Sequence, residues 1–148
     1  MYYEIHGQGT PLVLLHGGLG SGRMFGPVLT ELAQHHRVIL PDLQGHGRTA
    51  DIDRPLDLAS MGDDVAALIG HLHLDRPAVV GYSLGGGVAF QTALRHPDTV
   101  GRLVIASAEM RSEAVDPEIL AQQGQLSSAA VEHMRDTPMY QDYQEIAP

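Results

Sequence analysis

The stretch Gly81-Tyr82-Ser83-Leu84-Gly85 constrains this chain more than any other. It lies between an apolar run, Pro77-Ala78-Val79-Val80, and the small residues Gly86-Gly87-Val88-Ala89. In order these read as a buried strand, a tight turn and the start of a helix, with Ser83 at the apex. A serine on such a bend projects its hydroxyl away from the sheet, and the helix N-terminus points at whatever it attacks. A side chain at Gly81 or Gly85 would collide across so sharp a turn. Gly-x-Ser-x-Gly is the pattern of a nucleophile elbow. Such a pattern recurs by chance in about 5% of chains of this length, so the strand before it and the helix after it carry the reading. A glycine-rich turn with an incidental serine is the bland alternative.

Composition narrows the chemistry. The 148 residues are one domain's worth of chain with no second compositional regime. Cysteine is absent, which removes disulfides and thiolate metal sites. Lysine is absent too: all nine basic residues are arginine. That excludes the Gly-Lys-Ser/Thr phosphate loop and Schiff-base chemistry. With a net charge of −9 and scattered arginines, nucleic acid is not an expected partner. Met1-Tyr2-Tyr3-Glu4 begins no signal segment and no apolar run approaches membrane length, so a cytoplasmic chain with no membrane partner is expected. His35-His36 and His71-Leu72-His73 do not place both rings on one helical face, and nothing completes a ligand set; no metal is expected.

Along the chain, Tyr2 to His6 reads as a short strand ending at Gly7-Gln8-Gly9. Pro11-Leu12-Val13-Leu14-Leu15-His16 is a continuous apolar run, the mark of a strand covered on both faces. It breaks at Gly17-Gly18-Leu19-Gly20-Ser21-Gly22, after which Met24, Phe25, Val28, Leu29 and Leu32 recur at helical spacing. Arg37-Val38-Ile39-Leu40 is a third strand, followed by Pro41-Asp42 and a turn-rich segment to Asp57. Leu58, Met61, Val65, Leu68, Ile69 and Leu72 mark an amphipathic helix whose polar side carries Asp63 and Asp64. The strand and elbow come next, then a helix to about Arg95 stopped by His96-Pro97, and a fifth strand, Arg102 to Ala106. This alternation predicts an α/β fold: a mostly parallel open sheet with helices on both faces. Sites in such sheets lie at the carboxyl ends of the strands, where His16-Gly17-Gly18, Asp42 and Ser83 fall.

Beyond Ser107 no strand is read. Asp116-Pro117-Glu118 suits a helix start, Gly124 can end that helix, and Ser127 or Ser128 can cap another running to about Asp136, before Thr137-Pro138. Residues 1–107 are therefore expected to form the sheet core and residues 108–148 the start of a helical cap, or lid.

With these pieces in place, the sequence resembles the α/β-hydrolase superfamily, particularly its single-chain esterase, peroxidase-like and carbon–carbon hydrolase branches. The matching pieces are the strand ending in His16-Gly17-Gly18, the stretch Pro41-Asp42-Leu43-Gln44-Gly45-His46-Gly47, and the elbow Gly81 to Gly86. They stand in family order at family-like spacing, over residues 2 to 107. The resemblance implies that Ser83 is the catalytic nucleophile and that the backbone N–H groups of Gly18 and Leu84 form an oxyanion hole. It also implies a small-molecule substrate and no cofactor. Relatives that open epoxides or displace halides carry aspartate at the elbow, so serine implies acyl transfer from an ester, thioester or activated carbonyl.

The family pattern also requires a histidine base and an orienting acid after the nucleophile. Downstream of Ser83 stand only His96, at a helix end where its ring is read as capping carbonyls rather than serving Ser83, and His133, in the lid stretch; Glu109 is a candidate acid. His16 and His46 occupy positions that relatives use structurally. The expectation is an α/β-hydrolase core truncated before its last strands, a fragment with little or no hydrolase activity of its own, and a tendency to self-associate through the open edge of strand 102–106. A dinucleotide-binding module fails on glycine register, because Arg23 or Phe25 falls where the third glycine is needed. A non-catalytic binding relative, and a lyase or peroxidase-like enzyme using the same serine, stay open.

Overall fold

The computed structural model describes residues 1–108 and 135–145. Its strands are β1 (Tyr3–His6), β2 (Thr10–Leu15), β3 (His36–Pro41), β4 (Ala78–Tyr82) and β5 (Arg102–Ala106), and its helices are α1 (Gly26–Leu32), α2 (Leu58–His71), α3 (Leu84–Arg95) and α4 (Pro138–Gln144). A 3-10 turn, Gly22–Phe25, leads into α1.

The strands form one sheet in the order β1-β3-β2-β4-β5. Among the described residues only β1 runs antiparallel, pairing Ile5 with Ile39. The parallel core is set by Val13 opposite Ile39 on one side and Val79 on the other, and by Val80 opposite Val104. The sheet is thus mostly parallel, as the alternation of elements predicts.

Strand pleating sorts β2 cleanly between two apolar layers. Leu12 and Leu14 join Val38 and Leu40 under Phe25, Leu29 and Leu32 of the first helical segment. Val13 and Leu15 face the opposite way, into a larger cluster with Ile39, Val79, Met61, Val65, Ile69 and Val88 beneath α2 and α3. Full burial of each such side chain contributes about 1.5–3 kcal/mol. The unbroken apolar run in β2 is therefore two alternating faces, each with its own cover.

Local chemistry fixes the helices on the lower face. Asp57 caps α2, its Oδ1 accepting from the Ser60 N–H at 2.8 Å. At Gly62 the two helices approach closely: a Cβ there would lie 3.0 Å from the Thr92 backbone nitrogen. The Thr92 hydroxyl donates to the Val88 carbonyl at 2.8 Å, so this buried polar group is satisfied within its own helix.

Most of the lid stretch lies outside the described residues, including the helices expected from Asp116 and from Ser127 or Ser128. What is described differs from a plain stop at Thr137-Pro138. Pro138 opens α4, and Thr137 caps it, with Oγ1 accepting from the Tyr140 N–H at 3.3 Å. Proline ends one helix and suits the first position of the next equally well. No helix among the described residues is long and apolar enough to cross a membrane.

Candidate active site

At the carboxyl end of β4 the backbone turns through Ser83, which has φ 51° and ψ −116°. A non-glycine residue rarely holds such a conformation, which costs on the order of 1–3 kcal/mol. The surrounding glycines make it attainable. A Cβ on Gly81 would overlap the Gly85 carbonyl oxygen, and one on Gly85 would overlap the carbonyl oxygens of Leu15 and His16. Backbone from the start of α3 is therefore pressed against the end of β2. Ser83 itself is exposed, and its hydroxyl does not cap the helix it precedes.

The loop after β2 faces this turn. A Cβ built on Gly17 would stand 3.5 Å from Ser83 Cβ, and one on Gly18 would stand 3.9 Å from Leu84 Cβ. Gly18 is exposed. As the first residue of α3, Leu84 has no intrahelical acceptor for its N–H. No backbone carbonyl among the described residues takes the N–H of either Gly18 or Leu84 in a turn or loop bond. The positive end of α3 points at the same place.

His16 determines how that loop presents its amides. Its ring is fully buried, with Nε2 accepting from the Leu43 N–H at 3.0 Å. That leaves Nδ1 as the protonated nitrogen, donating to the Gly17 carbonyl at 2.7 Å. In a trans peptide the carbonyl and the next N–H point in opposite directions. Holding the Gly17 oxygen toward His16 therefore turns the Gly18 N–H away from the imidazole. Burial pushes the His16 pKa down to about 4, outweighing the hydrogen bond to Gly17, so the ring is neutral at ordinary pH.

The other sequence-predicted groups separate from Ser83. Asp42 is fully buried, and its Oδ1 accepts from the Gly22 N–H at 2.8 Å. Its Oδ2 accepts from the backbone and Nε of Arg48, each at 3.0 Å. Arg48 also donates to Glu4 Oε1 at 2.6 Å, tying the loop to β1. His46 donates from Nδ1 to the Gln44 carbonyl at 2.8 Å, and its ring lies 5.3 Å from that of His16. His96 lies at the far end of α3, about 20 Å along the axis from Ser83 at 1.5 Å per residue. Its ring does not cap helix carbonyls: Nε2 meets Asp63 Oδ1 at 2.7 Å, beside the Arg95–Asp63 ion pair. Glu109 and His133 lie outside the described residues.

Two features escaped the sequence reading. Arg48 links Asp42 to Glu4, a connection made by folding and invisible in spacing. Met24, read only as a helical apolar position, aims its sulfur at the Gly17 N–H. Among the described residues no cluster of His, Asp or Glu could hold a metal ion. A separate cavity of about 580 Å³ lies by Tyr2, Arg48, Arg54 and Asp64. Its arginines are engaged, Arg48 with Glu4 and Asp42 and Arg54 with Asp64.

A strained serine between strand and helix, facing a glycine loop at the sheet's carboxyl edge, is an arrangement that can bind and attack a polarised carbonyl. The family description "alpha/beta hydrolase fold" matches residues 10–130, and the chain belongs to that family. It is 47% identical over 109 residues to a Yersinia enterocolitica protein named carbamate hydrolase RutD, covering 70% of this chain and 39% of that one. It is 42% identical over 108 residues to a soluble epoxide hydrolase of Corynebacterium sp., covering 71% and 37%. Among solved structures, a thermophilic esterase from Thermogutta terrifontis superimposes with a TM-score of 0.74 at 30% identity, covering 91% of this chain and 48% of that one. The chain thus spans less than half the length of each of these relatives.

Proposed function

We propose that Ser83 is the nucleophile of a serine hydrolase that cleaves an ester, thioester or similarly activated carbonyl through an acyl-enzyme. The observation that carries this reading is the exposed, positive-φ Ser83 set against the Gly17-Gly18 loop. In the reaction, Ser83 Oγ adds to the carbonyl carbon and its proton passes to a base. The carbonyl oxygen becomes an oxyanion held by the N–H groups of Gly18 and Leu84, the leaving group departs, and water then releases the acyl group. Loss of one such donor costs about 10²–10³ in rate. Carbamates and esters, named for two of the relatives, both present an acyl carbon to a hydroxyl. An epoxide does not, and the branch that opens epoxides uses a carboxylate where this chain has serine.

We assign the base to none of His16, whose two ring nitrogens are both bonded, His46, which is buried beside the His16 ring, or His96, which pairs with Asp63 at the far end of α3. Hydrolysis of a p-nitrophenyl ester by this chain is accordingly expected to be slow, Ser83-dependent and rising with pH without levelling off near the imidazole range of about 6.5. A plateau there would show that an imidazole outside the described residues serves Ser83. A rate unchanged in Ser83→Ala would remove the nucleophile assignment.

Self-association is proposed through β5, which ends the sheet among the described residues and leaves Leu103 and Val104 exposed. Sedimentation as a monomer at all concentrations would contradict it.

A further inference from the structure

The amide next to the proposed oxyanion donor is engaged in an unusual way. The Gly17 N–H donates to Met24 Sδ at 3.3 Å. A thioether is a weak acceptor, easily outmatched by oxygen. Met24 lies in the Gly22–Phe25 turn and is 41% exposed, whereas Met61, in the core, is 1% exposed. One sulfur therefore combines solvent access with a direct bond to the loop that faces Ser83.

We propose that Met24 is an oxidation site through which a peroxide alters the Gly17-Gly18 loop. A sulfur lone pair attacks one peroxide oxygen, an S–O bond forms and the O–O bond breaks. The departing hydroxide takes the proton from the new S–OH group, so the thioether is oxidised to sulfoxide and hydrogen peroxide is reduced to water. The sulfoxide oxygen is a stronger acceptor than the thioether. It also places an extra atom between Met24 and Gly17.

Gly17 has little room to give way. A Cβ there would lie 3.1 Å from Tyr82 Cδ1 and 3.5 Å from Ser83 Cβ, and the Gly17 carbonyl is held by His16 Nδ1 at 2.7 Å. The added oxygen pushes at the Gly17 nitrogen while the Gly17 carbonyl oxygen stays on His16, so the Gly17-Gly18 peptide pivots about that held oxygen. That pivot moves the Gly18 N–H relative to the Leu84 N–H, a misplacement that costs rate without unfolding the core. The effect on rate rests on the hydrolase reading of Ser83; the effect on the loop does not.

The test is limited exposure of the folded chain to hydrogen peroxide, followed by peptide mass mapping and amide NMR. Met24 is expected to gain oxygen about tenfold or more faster than Met61, because susceptibility follows exposure. The Gly17 and Gly18 amide resonances should move in step with Met24 oxidation while that of Gly70 on α2 stays in place, and Met24→Leu should abolish the movement. Ser83-dependent ester hydrolysis should fall about tenfold in the same proportion, and a methionine sulfoxide reductase should restore it. Absence of any Ser83-dependent hydrolysis before oxidation would count against the hydrolase reading alone, and the resonances would still decide this proposal. Met24 oxidation as slow as that of Met61, or unmoved Gly17 and Gly18 resonances once Met24 is oxidised, would overturn it.

Discussion

At the carboxyl end of β4, Ser83 sits in a strained backbone with its side chain exposed and the Gly18 and Leu84 amides nearby. At the carboxyl end of β3, Asp42 is fully buried and accepts from both the Gly22 and Arg48 backbones and from the Arg48 side chain. The neighbouring His16 likewise uses both ring nitrogens. All three are residue types found in catalytic triads, and all lie along one edge of the sheet. Their surroundings divide them. A polar group whose bonding capacity is taken up in the interior holds shape, whereas an exposed one kept in a costly conformation is available for chemistry.

The largest effect that would break this division is expected at Asp42. Asp42→Ala leaves the Arg48 Nε–H and the backbone N–H groups of Gly22 and Arg48 without their acceptor, and three orphaned donors should cost about 3–5 kcal/mol in denaturant unfolding. A loss below about 1 kcal/mol would show that the network is dispensable. Close behind is Gly85→Ala, which drives a methyl into the Leu15 and His16 carbonyls. It should destabilise by about 3 kcal/mol, and a protein of unchanged stability would mean that α3 does not press on β2 as described.

His16 sharpens the comparison through pH. Its folded pKa is depressed to about 4, while the unfolded ring protonates near 6.5. Between those values the unfolded chain binds more protons, so stability is full above about 6.5 and falls as the pH drops to about 4, by about 3 kcal/mol in all. The difference in unfolding free energy between the native chain and His16→Asn, followed across that window, isolates the contribution. A flat difference would mean that His16 is solvated rather than locked. The smallest effect has the opposite sign: Ser83→Gly relieves the positive φ and should stabilise the fold by about 1 kcal/mol while removing ester hydrolysis.

Much of this was legible in the sequence because the signals are local. The run Pro11–His16 became β2 over Thr10–Leu15, the periodic apolar positions from Leu58 became α2, and the glycines around Ser83 gave the elbow. What stayed hidden depends on partners brought from elsewhere. Nothing in the spacing of Asp42 reveals that Gly22 and Arg48 will supply its donors, or that the His96 ring will find Asp63 rather than a helix carbonyl. The helix starting at Pro138 was hidden for a different reason: proline after threonine reads as a boundary, and only the Thr137 cap shows which side of it is helical.

The central claim is that reactivity at this sheet edge belongs to Ser83 alone. Its most direct test is prolonged treatment of the folded chain with a fluorophosphonate, followed by peptide mapping of the covalent adduct. The adduct is expected on Ser83 and should be absent from Ser83→Ala, with Ser21, His16 and His46 unmodified. A folded chain that leaves Ser83 unlabelled, or that carries the phosphonate on one of those buried groups instead, would contradict the account.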